Sequence, residues 1–298
     1  MPTDLIPPDI RSRLKHLRIV ARRALGRHGF GLHHSRSRGS GLEFAQYRAY
    51  EPGDELRQID WKLYARSDRF FVREAERESP LTLWVLIDAS ASMAQADAAQ
   101  PDWTRLHAAR SIAACLGELA LKQGDRIGLI ALHEGGLRLL PPDDGPRQRD
   151  RLWLELHALS AGKHFPATEK LAPVWERIAA DDLVVLIGDG FEEAGIAMTE
   201  RLSAARREVL FVQVLTAEER DFPFRDGHRF VDPETGEELR GDGAALRDEF
   251  LRRFGEAQHA LRARLEHAGI AHVVHWLDQP PDLPLRQLFG DADAAEYA

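Results

Sequence analysis

Five stretches of this 298-residue chain are apolar almost without a break: Leu81 to Ile87, Ile127 to Leu132, Leu183 to Ile187, Val209 to Leu215 and Ile270 to Leu277. Each is too short for a globular helix and dense enough to be a strand buried on both faces. Between them the period changes to that of helices. Trp103 to Lys122 places Leu106, Ala109, Ile112, Leu116 and Leu119 on one side, and Pro146 to Leu159, Ile196 to Arg207 and Ala244 to Ala268 continue the alternation. Strand and helix taking turns from Leu81 to Leu277 predict an α/β fold: a doubly wound, mainly parallel sheet with helices on both faces. His133-Glu134-Gly135-Gly136 reads as a hairpin turn leading into Leu137 to Leu140, which Pro141-Pro142 closes. A second hairpin, residues 228–240 with Asp232-Pro-Glu-Thr-Gly236 as its turn, is inserted before the last helix.

Ahead of the sheet, Pro8 to Leu25 carries Ile10, Leu14, Leu17 and Val20 near a 3.6-residue period among Arg and Lys, an amphipathic basic helix. Packing of that stripe on the domain is the favoured reading, and contact with a membrane surface is the other. Residues 26–41, rich in Gly, His, Ser and Arg, read as a loop. Residues 42–79 predict a small β-rich subdomain, with strands at Leu42 to Tyr50 and Phe70 to Glu78 around a Pro52-Gly53-Asp54 turn. The α/β domain then spans 80–280, and 281–298 is a Pro-rich, finally acidic tail.

Charge changes this picture little. Residues 1–79 hold 16 Lys and Arg against 11 Asp and Glu, net +5, and the remainder holds 24 against 37, net −13. A basic front on an acidic body raises the question of nucleic acid, but the front mixes both signs and carries no nucleic-acid motif, so protein contacts are the better expectation. The one cysteine, Cys115, lies in a small-residue helical stretch and reads as a buried structural thiol. A single thiol, no run approaching the ~20 apolar residues of a membrane span and no signal-peptide pattern lead to the expectation of a cytoplasmic protein.

The candidate chemistry stands where the first apolar run ends. Asp88, Ser90 and Ser92 follow at alternate positions, so their side chains project to one side. Three hard oxygen donors then converge at the carboxyl end of a central strand, where open α/β sheets place their ligands. One carboxylate and two hydroxyls suit Mg²⁺ or Mn²⁺, and with no His or Cys nearby they suit Zn²⁺ poorly. Asp189, in Gly188-Asp189-Gly190 at the end of Leu183 to Ile187, can point into the same crevice. A Ser-rich turn capping the next helix accounts for the same residues without any ligand.

The Asp-x-Ser-x-Ser-Met pattern directly after a buried strand resembles the metal-ion-dependent adhesion site, or MIDAS, of von Willebrand factor A domains. The resemblance implies that a Thr from a second loop and an Asp from a third complete the metal shell; Thr168 and Asp189 are the matching residues. It also implies that an open coordination position takes a carboxylate from a protein partner. Lys163, His164 and Phe165 stand where the family's second loop usually has glycines.

A longer pattern lies upstream, Glu-Phe-x-x-x-Arg-x-Tyr-x-x-Gly-Asp-x-x-Arg-x-Ile-Asp-Trp-x-x-x-Ala-Arg from Glu43 to Arg66, followed by Val-Arg-Glu-x-Glu-x-Glu. With the Asp-x-Ser-x-Ser-Met segment it resembles the domain of unknown function family 58 over about residues 26–215. That resemblance implies a bacterial or archaeal protein with a von Willebrand A-like domain, acting with a MoxR-type AAA+ ATPase or the client it remodels. Glu43, Arg48, Tyr50, Gly53, Asp54, Arg57, Asp60, Trp61 and Arg66 mix opposite charges with aromatics, as an ion-pair network or a docking surface would. The leading expectation is a non-enzymatic protein-interaction module. An Mg²⁺-dependent hydrolase with Asp88 as nucleophile, and a metal-free scaffold, remain open. The hydrolase reading is weakened by the lack of an acid at position 90, of a P-loop and of a nucleophile elbow.

Overall fold

Strand order fixes where the crevice of this protein lies. The computed structural model describes residues 4–21, 43–50, 59–76 and 80–290, with the backbone alone at 43–48 and 73–76. The chain divides into two units, residues 28–80 and the remainder.

In the larger unit, β3 (Thr82–Asp88), β4 (Arg126–His133), β5 (Gly136–Asp143), β6 (Leu183–Gly188), β7 (Glu208–Leu215) and β10 (Ala271–Trp276) form one sheet in the order β10-β7-β6-β3-β4-β5. All neighbours are parallel except β4 and β5. From β3 the chain winds outward through β4 to the β5 edge, then returns to the other side of β3 for β6, β7 and β10. The order therefore reverses between β3 and β6, and a crevice opens at their carboxyl ends.

The apolar runs become strands because both faces of the sheet are covered. Leu83, Val85 and Ile87 of β3 pack with Ile127, Val185 and Val212 against the long helix Arg105–Gln123, the helix Gly145–Ala158 and the terminal helix Leu283–Phe289. Trp84 and Leu86 face the other way with Ile130, Val184 and Phe211, under the helix Glu193–Ala204 and the end of Gly243–His267. Gly128 pairs with Trp84, and a Cβ there would lie 2.8 Å from the indole ring. A larger residue in that strand would displace the tryptophan.

Three elements differ from the sequence reading. The amino-terminal helix is one short α-helix, Pro8–Arg13, with a 3₁₀ turn through His16 and extended chain to residue 21. Its apolar stripe is covered: Ile6, Ile10, Leu14 and Ile19 are buried in the core of the larger unit. Ser111 Oγ donates to the Leu5 carbonyl, and Gln123 bonds the backbone of Ile19 in both directions. β5 runs through Pro141 and Pro142 instead of ending before them, which an edge strand tolerates because its outer N–H groups need no partner. The segment beginning at 281, read as a tail, holds a helix whose Leu285, Leu288 and Phe289 are buried.

In the smaller unit, β1 (Glu43–Ala49) pairs antiparallel with β2 (Phe71–Glu76). The helix Trp61–Ser67 is capped by Asp60, whose side chain accepts from Lys62 N and Leu63 N at 2.9 and 3.0 Å. The β8–β9 hairpin, Gly227–Val231 and Glu238–Asp242, forms as expected. Cys115 is buried and free, and burial pushes its thiol up, away from reactivity. Among the described residues no helix is long and apolar enough to cross a membrane.

His272 and His275 occupy opposite faces of β10, as two residues three apart in a strand must. His272 stacks on Phe211 and its Nε2 lies 3.1 Å from Gln213 Oε1. His275 is fully buried, with no hydrogen-bond partner on either ring nitrogen among the described residues. Burial holds it at about 4 against 6.5 unfolded. Its neutral form is favoured in the fold, so its contribution is complete above 6.5 and is lost as pH falls toward 4. Urea unfolding of His275→Leu should therefore lose ~2–3 kcal/mol less stability than wild type between neutral pH and about pH 4.5. Equal losses in both would contradict this.

Candidate metal-ion adhesion site

Both sides of the crevice present a buried carboxylate. Asp88 ends β3, and the chain turns at once: Ala89 N donates to the Leu132 carbonyl, and Ser90 N donates to Asp88 Oδ1 at 2.8 Å. A 3₁₀ turn, Ala91–Ala94, then carries Met93 into the core, which anchors the loop. Ser90 and Ser92 are buried with their hydroxyl oxygens 3.1 Å apart. Asp88, Ser90 and Ser92 thus lie on one short turn.

Opposite them, Gly188 ends β6 so close that a Cβ would stand 2.9 Å from Asp88 Cβ. No other residue type permits that approach. Asp189 follows, fully buried. Its Oδ1 accepts from Phe191 N at 3.0 Å, and Gln213 Nε2 donates to its carbonyl at 2.8 Å. Gly190 turns the chain with φ +77° beneath the exposed Phe191.

The two carboxylates meet different surroundings. Asp189 Oδ2 accepts from Arg105 Nη1 at 3.0 Å, in an ion pair with both side chains fully buried. Asp88 has no Lys or Arg within 4.0 Å among the described residues. Burial foremost, and then the charge of Asp189, push Asp88 up to about 7, against the opposing hydrogen bonds from Ser90. A third acid comes from the β8–β9 hairpin. Glu234 hydrogen-bonds to Glu192, and burial together with the Glu192 and Asp189 charges raises it to about 7. The cavity beside Asp88 measures about 10 Å³ and is lined by Phe165, Gly188, Gly190, Glu192 and Phe211. That is room for roughly one water or ion.

The second loop departs from the expected arrangement. Gly162 N donates to the Ala89 carbonyl and Ala91 N to that of Lys163, so residues 162–163 meet the Asp88 loop. Phe165 is the residue of this loop that lines the cavity. Thr168 stands exposed at the start of a 3₁₀ turn, Thr168–Leu171. Among the described residues no hydrogen bond joins it to Asp88, Ser90, Ser92 or Asp189. The oxygen set of Asp88, Ser90, Ser92 and Asp189 fits a hard divalent cation in chemistry, with Asp189 already engaged from behind by Arg105. No trio of His, Cys, Asp or Glu among the described residues is placed to hold a metal ion.

Of the upstream signature, Asp60 caps a helix, Tyr50 packs edge-on to Phe70, and Trp61 and Arg66 are exposed. The side chains of Glu43 and Arg48, and Gly53, Asp54 and Arg57 entirely, lie outside the described residues. Sequence reasoning passed over Arg105, Glu192 and Glu234, and noted Phe165 only as a departure from the family's second loop. Arg105 did leave a signal, because it falls one turn before Ala109 on the buried stripe of its helix, where a charge is out of place.

The protein is thus of the doubly wound α/β class, with an acidic crevice at the switch point of its sheet. The chain belongs to the family described as Protein of unknown function DUF58, whose model matches residues 46–260. It is 27% identical over 255 residues to uncharacterised proteins of Mycobacterium bovis and Mycobacterium tuberculosis, across 84% of this chain and 79% of each relative. Among solved structures it is similar to BatB from Bacteroides thetaiotaomicron, with 14% identity, 73% of this chain and 100% of that one covered, and a TM-score of 0.44. It is also similar to the VWA domain of SpRpn10, with 13% identity, 70% and 95% coverage, and a TM-score of 0.40.

An ionised Asp88 without a counter-charge destabilises the fold. Its folded value of about 7 lies above the ordinary carboxylate value of 3.8, so stability declines as pH rises between them. In chelator-treated protein, Asp88→Asn should raise unfolding stability by ~2–4 kcal/mol at about pH 8 and leave it unchanged near pH 4. Chemical denaturation at both pH values checks this; a less stable Asn variant at the higher pH would refute it.

Proposed function

We propose that this protein is a non-enzymatic protein-interaction module that takes Mg²⁺ or Mn²⁺ at Asp88, Ser90, Ser92 and Asp189. The ion's open position would receive a carboxylate from a protein partner. The observation that carries this reading is Asp88 itself: a buried carboxylate facing another, beside two buried hydroxyls, with no cation of its own within ion-pair reach among the described residues. A divalent ion supplies the missing charge and is the strongest local attractor for an incoming carboxylate. Thr168, which the family resemblance adds to the shell, is exposed where it stands, so the ligand set rests on the other four. The same resemblance nominates a MoxR-type AAA+ ATPase or its client as the partner, in the cytoplasm. Hydrolysis at Asp88 is disfavoured, since position 90 carries no acid and the sequence holds neither a P-loop nor a nucleophile elbow.

One observation favours a second reading. Arg105 already neutralises Asp189, which suits a metal-free scaffold whose site residues only hold loops together. Calorimetry separates the two. Titration of Mg²⁺ and Mn²⁺ into wild type should show saturable one-site binding that Asp88→Ala abolishes. Equal heats in both proteins would leave the scaffold reading standing. Capture of a MoxR-type ATPase should then require the ion and Asp88; capture unaffected by chelator would remove the metal from recognition.

A further inference from the structure

Arg105 is a costly charge to place. It is fully buried and opens the helix Arg105–Gln123. Its side chain meets the positive end of the helix dipole, where a cation is unfavourable, so helix stability does not explain it. Acceptors hold it there. Nη1 reaches Asp189 Oδ2 at 3.0 Å and the Ser92 carbonyl at 3.3 Å, and Nη2 reaches Glu219 Oε1 at 2.6 Å. The Phe191 ring closes over the guanidinium, with 5.3 Å from Cζ to its centroid. Nε has no partner among the described residues.

Two of these contacts are to the candidate site: Asp189 supplies the carboxylate of one side, and Ser92 belongs to the loop of the other. The third is an anchor from behind. Glu219 is fixed by a capping box, its Oε2 accepting from Thr216 N and Thr216 Oγ at 2.9 Å each. The guanidinium is thus pinned against Asp189 by a carboxylate outside the crevice. It adds a permanent positive charge where a divalent ion would bind.

We propose that Arg105 is a positioning residue that competes with the divalent ion for Asp189 and so sets the cation affinity of the site. This rests on the metal-binding reading above, and it assigns that reading a built-in restraint. A full charge removed from within several ångströms of a divalent ion changes its binding by about tenfold or more even with water-like screening.

The test is Mn²⁺ calorimetry on the full chain with wild type, Arg105→Gln, Arg105→Lys, Glu219→Gln and Asp88→Ala, each checked for folding by circular dichroism. Arg105→Gln should bind Mn²⁺ at least about tenfold more tightly than wild type, while Arg105→Lys, which keeps the charge, stays within about threefold of it. Binding by Arg105→Gln equal to or weaker than a wild type that does bind would overturn the role of Arg105 and leave the metal site standing. Absence of binding in every folded variant would overturn the metal site itself, and this proposal with it. Should Arg105→Gln fail to fold, Glu219→Gln decides. With the rear carboxylate neutral, the guanidinium charge beside Asp189 is less offset, and Mn²⁺ affinity should drop; an unchanged affinity would overturn the competition.

Discussion

Two carboxylates buried on adjacent strand ends repel each other, and much of this structure is arranged around that repulsion. The reversal of strand order between β3 and β6 brings Asp88 and Asp189 to one crevice, and Gly188 lets the two strand ends close to contact distance. The fold answers only half of the problem. Asp189 receives Arg105 and the Phe191 amide, whereas Asp88 receives the Ser90 amide and hydroxyl and is pushed up to about 7. Breaking a buried ion pair such as Arg105–Asp189 is worth ~3–5 kcal/mol. The crevice is therefore charge-paired at Asp189 and electrostatically unsatisfied at Asp88.

The same charges explain how neighbouring elements are tied to the site. Glu219 belongs both to the Arg105 network and to the capping box of the helix Ala217–Asp221. Asp97 in turn accepts from Ala217 N and Glu218 N at the start of that helix. The loop after Asp88, the end of β6 and the loop after β7 are thus joined through side-chain hydrogen bonds. The β8–β9 hairpin adds Glu234, held to Glu192 near Asp189, so an inserted element contributes negative charge to the crevice it borders.

Much of this was legible in the sequence, for a physical reason. Strands buried on both faces must be apolar throughout, so the β3, β4, β6 and β7 runs announce a parallel sheet, and acids directly after two of them mark its carboxyl edge. Pairing distant in the chain was not legible. Ile10, Leu14 and Leu17 show a helical stripe but not that Ser111 and Gln123 hold the segment down, and Leu285 to Phe289 gives no sign of the core it fills. Thr168 matched a motif by residue type, yet the loop meets Ala89 and Ala91 through Gly162 and Lys163 and turns Thr168 to solvent. Arg105 was readable only as an anomaly, because its partners lie 84 and 114 residues away.

The most direct test of the central claim is a crystal structure of the protein grown with Mn²⁺, with an anomalous difference map calculated at the manganese edge. The account predicts one peak in the crevice, within ~2.0–2.6 Å of oxygens from Asp88, Ser90, Ser92 and Asp189. A crevice without a peak at saturating Mn²⁺, with Arg105 still seated on Asp189, would contradict it.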